Sequence, residues 1–187
     1  ISLSISEVTI NEQLNSLLGI VRDITRQKQA EEELERLAQY DDLTGLANRV
    51  LLRATLEHAI RTSDRTGQIV VLMFLDLDRF KNVNDTMGHD SGDALLVEVA
   101  NRLTKCVRNS DTVARLGGDE FAIVVPDLDD TDVAVDIADR VNRCFAQPFM
   151  HANGECYVAA SLGAAISPDD GSDADVLLQH ASAATVF

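Results

Sequence analysis

Residues 112–125 contain two apolar-rich runs hinged on a pair of glycines. Thr112-Val113-Ala114-Arg115-Leu116 stands before Gly117-Gly118, and Phe121-Ala122-Ile123-Val124-Val125 after them. Adjacent glycines accept the positive φ that a tight reversal needs, so the pattern predicts a β-hairpin. A second constraint comes from residues 69–75, a continuous apolar run of β-formers that reads as a central strand buried on both faces. Helical periodicity marks residues 48–64 (Leu51, Leu52, Leu56, Ala59, Ile60) and 92–107 (Leu95, Leu96, Val99, Leu103). It also marks residues 132–145 and the stretch from 174 onward. Two more strands are expected, near Phe149 and over residues 156–166. Helices alternating with strands that include hairpins predict an α+β fold, with an antiparallel-containing central sheet flanked by helices rather than a doubly wound sheet.

The polar residues gather where these elements end. The hairpin tip presents Asp119 and Glu120, and carboxylates on a glycine-rich tip suit hard cations or phosphates; an ordinary Gly-Gly-Asp turn is the plainer reading. The central strand runs into Leu75-Asp76-Leu77-Asp78-Arg79-Phe80-Lys81. A carboxylate directly after a buried run is costly unless a metal, a cation or solvent meets it, although Asp76 or Asp78 could also cap the next turn. Residues 82–90 read as a polar stretch too irregular for the core. Arg79 and Lys81 can meet phosphates as point charges. Asn84 and Asp93 can read a purine edge, because an amide both donates and accepts while a carboxylate accepts from guanine N–H groups. After the second long helix comes Arg108-Asn109-Ser110-Asp111, by itself readable as a surface ion pair at a helix end.

Composition narrows the partners. A net charge of −15 argues against nucleic acid as a partner, which needs a basic footprint, but not against a nucleotide substrate. Hydrophobic residues at 45% and charged residues at 25% give a globular balance. No apolar run approaches the ~20 residues of a membrane span, and no signal peptide is visible, so a cytoplasmic segment is expected. Membrane attachment would come only through other segments, since the chain opens without methionine and reads as part of a longer protein. Cys106, Cys144 and Cys156, with no CxxC spacing, read as reduced, buried thiols. Residues 1–8 alternate as a half-buried strand, a polar turn follows at Asn11-Glu12-Gln13, and residues 17–24 form a second strand. Thr25 is read as the N-cap of a linker helix whose Ala30, Leu34 and Leu37 form a narrow stripe suited to a short parallel coiled coil.

These motifs together resemble the GGDEF domain of diguanylate cyclases, whose palm is related to adenylyl cyclases and some polymerases. The matching stretches are the entry motif Asp41-Asp42-Leu43-Thr44-Gly45-Leu46-Ala47-Asn48-Arg49, residues 74–93, residues 115–121 with the name motif, and residues 161–171. The resemblance implies a division into residues 1–25, a fragment similar to the closing strands of a PAS domain; residues 26–40, a helical linker; and residues 41–187, the GGDEF domain. It implies condensation of two GTP into cyclic di-GMP by attack of each 3′-hydroxyl on the partner's α-phosphorus, in a homodimer joined through the linker helix. Mg²⁺, with Mn²⁺ an alternative, would sit on Asp76, the Leu77 carbonyl, Asp119 and Glu120, the last two catalytic. Asn84 and Asp93 match the guanine readers, and Lys81 with the amides of Arg79 and Phe80 the phosphate contacts. Arg108 and Asp111, with Arg115 as third contact, match a product-inhibition site. Relatives continue past the last helix with basic residues for the terminal phosphates and a closing strand. Their absence here, with the Pro168-Asp169-Asp170-Gly171 turn, leaves a second expectation: a non-catalytic module binding GTP or cyclic di-GMP beside a phosphodiesterase domain.

Overall fold

The computed structural model describes residues 2–11, 14–151 and 154–186, in two compact units, 1–38 and 39–187. In the first unit β1 (Ser2–Asn11) pairs antiparallel with β2 (Leu14–Arg22). The expected strands are present and slightly longer on the turn side. The turn residues Glu12 and Gln13, and the burial expected along residues 1–8, lie outside the described residues. Helix α1 (Thr25–Gln39) follows. Its first amide, that of Thr25, donates to Asp23 Oδ1 at 2.9 Å, so Asp23 rather than Thr25 supplies the cap.

The second unit is built on a four-stranded antiparallel sheet in the order β4-β5-β3-β8. Its elements are α2 (Arg49–Thr66), β3 (Ile69–Leu77), α3 (Phe80–Met87), α4 (His89–Cys106), β4 (Thr112–Gly117), β5 (Glu120–Leu128), α5 (Asp132–Phe145), β6 (Phe149–His151), β7 (Gly154–Cys156), β8 (Ala160–Ser167) and α6 (Ala174–Ala183). Strand β3 is buried on both faces, as its unbroken apolar run predicts. Val71, Met73, Leu75 and Leu77 join a core with α4 and α5, while Val70, Leu72 and Phe74 join another with α2 and α6. The α+β layering of the sequence reading is therefore observed. Asn48 starts α2 by accepting the amides of Val50 and Leu51 at 2.9 and 3.1 Å.

Three expectations are corrected. Residues 80–87, where no helix was expected, form α3, and α4 begins at His89 rather than residue 92. Asparagine, aspartate and threonine are weak helix formers, so local propensity hid α3. Tertiary contact supplies what propensity lacks: Phe80 is buried and the helix lies so close to α4 that a methyl group on Gly92 would collide with Asn84 Oδ1. The expected strand 156–166 is two strands. Residues 154–156 turn back onto β6, and β8 starts at Ala160. The three cysteines are free, as expected, but half-buried rather than buried.

Candidate active site

Register brings the expected carboxylates together. Asp76 at the end of β3 stands directly opposite Glu120, the first residue of β5, and opposite Ser161 of β8 on its other side. The Leu77 amide donates to the Asp119 carbonyl at 3.3 Å, tying the hairpin tip to the strand end. Gly117 and Gly118 have φ of 135° and 54°, the left-handed values that the paired glycines predict. Burial, followed by the charges of Asp119, Glu120 and Asp78, pushes the Asp76 carboxyl above its usual range. Asp78 is held by the Ser161 hydroxyl, which donates to its Oδ1 at 2.8 Å.

Residues not expected in this cluster brace it. The Asp41 carboxylate accepts the Arg115 guanidinium on both oxygens at 3.1 Å. The same guanidinium donates to the Gly118 carbonyl at 3.1 and 2.8 Å. The Arg115 amide donates to Ala47 O at 2.9 Å, so the entry motif and the glycine hairpin form one braced unit. Burial alone would raise the Asp41 carboxyl, but the Thr44 hydroxyl and amide and the Arg115 charge bring it below the ordinary range. Arg49, first in α2, reaches Glu120 Oε2 at 3.4 Å. Asp41 and Arg49 were legible as motif members, but nothing in their spacing says which later residue each would meet.

Asp76, Asp78 and Arg79 line a cleft of about 780 Å³ closed on its other side by Tyr157, Val158 and Ala159. Asn84 turns instead onto Gly92 of α4, beside Asp93, which is exposed. Phe80 is buried in the core below, and Lys81 is exposed in the first turn of α3. Arg108 and Asp111 share a separate hollow of about 410 Å³ with Tyr40, Thr104 and Thr112. Arg115 does not join them. Its guanidinium meets Asp41 and Gly118.

The donor set fits a hard divalent cation. Its members are carboxylate and carbonyl oxygens, and the mutual repulsion felt at Asp76 is what a bound cation would relieve. Among the described residues no three acidic, histidine or cysteine side chains close around one point. Mg²⁺ does not require that, being ordinarily held by one or two carboxylates, water and substrate phosphates. No helix among the described residues is long and apolar enough to cross a membrane.

A family model described as the GGDEF domain of diguanylate cyclases matches residues 38–186. The bifunctional diguanylate cyclase/cyclic di-GMP phosphodiesterase MucR of Pseudomonas aeruginosa is 43% identical over 155 residues, which is 83% of this chain and 22% of MucR. The chain spans under a quarter of the length of several such relatives. The crystal structure of a sensory box/GGDEF family protein from Caulobacter crescentus superposes with a TM-score of 0.75 at 40% identity, covering 79% of this chain and 95% of that one. The coiled coil and GGDEF domain of DgcB from Caulobacter crescentus, solved with cyclic di-GMP, gives a TM-score of 0.77 at 27% identity and covers 87% and 86%.

Proposed function

The chain belongs to the GGDEF domain family of diguanylate cyclases, and from that membership we propose that its carboxylate cluster condenses two molecules of GTP into cyclic di-GMP. The observation that carries this reading is the register that sets Asp76 against Glu120 beside the Gly118-Asp119 tip. Two such domains face one another, and each 3′-hydroxyl attacks the α-phosphorus of the other's GTP. Asp76, the Leu77 carbonyl, Asp119 and Glu120 would hold Mg²⁺ or Mn²⁺, which helps the hydroxyl ionise and neutralises phosphate charge. Glu120 either joins that set or takes the 3′-hydroxyl proton, and Arg49 is placed to hold its carboxylate until substrate arrives. Lys81 and the amides of Arg79 and Phe80 receive phosphate oxygens, while Asn84 and Asp93 read guanine. Arg108 and Asp111 bind the product as an inhibitor.

In the same reading, β1 and β2 are the closing strands of a PAS sensor and α1 joins two copies in parallel. Leu34 and Leu37 support the second point, being 66% and 46% exposed on that helix. A regulatory role is the second reading. It is favoured by the likeness to relatives named only as cyclic di-GMP phosphodiesterases, of which the matching stretch is under a quarter.

Turnover of GTP with Mg²⁺, followed by mass spectrometry for cyclic di-GMP, separates the two. Product from this chain, lost in Glu120→Ala, establishes the cyclase. Absence of product alongside measurable nucleotide binding leaves the regulatory module. Asp93→Ala should lower the preference for GTP over ATP about tenfold or more, the worth of one charge-assisted hydrogen-bond pair. An unchanged preference removes Asp93 from base reading.

A further inference from the structure

Helices α4 and α5 pack against one another, and each brings a free, half-buried cysteine to the contact. Cys106 closes α4 and donates its thiol to the Arg140 carbonyl at 3.6 Å, one helical turn before Cys144 in α5. In the helix that same carbonyl lies one turn from the Cys144 amide, so both cysteines sit at one place on the α4–α5 contact. Nothing in the proposed catalytic cluster uses either of them, and Cys156 stands apart in β7.

We propose that Cys106 and Cys144 form a thiol–disulfide site that reacts with a low-molecular-weight disulfide of the glutathione class and clamps the end of α4. Cys106 attacks first. Its sulfur bonds to one sulfur of the reagent, the other leaves as a thiolate, and the proton lost by Cys106 returns to that leaving group. Cys144 then gives up its proton, attacks the Cys106 sulfur and expels the second reagent thiol. Two protein thiols are thus oxidised by two electrons, and one external disulfide is reduced to two thiols. The order follows from the surroundings. Burial, then the neighbouring Cys106, pushes the Cys144 thiol up to about 12, with Arg102 pulling the other way, so Cys144 is the poorer first nucleophile.

The clamp falls two residues before Arg108. That residue begins the turn in which Asp111 Oδ2 accepts the Arg108 amide at 2.8 Å. Any effect on product inhibition rests on the reading of Arg108 and Asp111 as the product site; the thiol chemistry does not.

The test treats the full chain with oxidised glutathione under native conditions. Free thiols should fall from the three of the sequence to one, with a 106–144 cross-linked peptide, and dithiothreitol should restore all three. Cys144→Ser should stop at a glutathione adduct on Cys106, and amide exchange across residues 106–111 should slow only in the cross-linked wild type. Three persistent thiols, or linkage through Cys156 or between chains, overturns the site. A cross-link that leaves exchange at 106–111 unchanged overturns the clamp. All of these readouts stand whether or not the chain makes cyclic di-GMP.

Discussion

Two arginine–aspartate combinations near the site look alike in composition and behave oppositely. Arg115 and Asp41 come from distant parts of the chain, are 11% and 21% exposed in their side chains, and meet through both carboxylate oxygens. Arg108 and Asp111 lie within one turn. Asp111 there accepts the Arg108 amide and the Ser110 hydroxyl, while among the described residues the Arg108 guanidinium meets no carboxylate. The first pair is shielded from water and holds the Gly118 carbonyl, so it sets where the Asp119-Glu120 tip stands. The second leaves Arg108 exposed at a hollow that Asp111 also lines. Burial and partner, rather than residue type, set the two apart.

The contrast can be broken most strongly at Asp41. Asp41→Asn keeps an oxygen for the Thr44 hydroxyl and amide but leaves the Arg115 cation part-buried without its counter-charge. A loss of about 2–3 kcal/mol in denaturant unfolding is expected, with slower turnover from a loosened tip. A loss below about 0.5 kcal/mol would show that the pair braces nothing.

Acid offers a gentler way to the same end. The Asp41 carboxyl is held below its ordinary range in the folded chain, so its contribution is complete above the unfolded carboxylate range. That contribution declines as pH falls through the lower, folded value. The melting-temperature gap between wild type and Asp41→Asn should therefore close in that acidic window, and a constant gap would assign the effect to packing instead.

Arg108→Ala should change stability least, by about 0.5 kcal/mol or less, because its guanidinium is exposed and unpaired. It should nonetheless relieve inhibition by cyclic di-GMP. Equal inhibition of both proteins would make the two arginines alike after all.

Some of this site could be read along the chain and some could not. The hairpin and the strand β3 were legible because paired glycines and an unbroken apolar run act over a few residues. Asp76, Asp119 and Glu120 were legible as carboxylates stranded at the ends of apolar runs. Helix α3 was not, since Asn82, Asn84, Asp85 and Thr86 disfavour a helix locally and only close approach to Gly92 makes one worthwhile. Nor was the split between β7 and β8. Tyr157-Val158-Ala159 continues a run of β-formers, but residues 154–156 are taken by β6, and the Ala159 carbonyl accepts the Asp78 amide at 2.9 Å.

By itself the sequence determined the layering of helices on an antiparallel sheet and the identity of the acidic cluster, because both follow from periodicity and from the cost of burying charge. Only the tertiary structure decided that Arg115 braces the hairpin, that Arg49 meets Glu120, and that Cys106 meets the Arg140 carbonyl one turn before Cys144. Those pairings join residues 34 to 74 positions apart, and a charge or a thiol carries no mark of which distant partner the fold will bring within 4 Å.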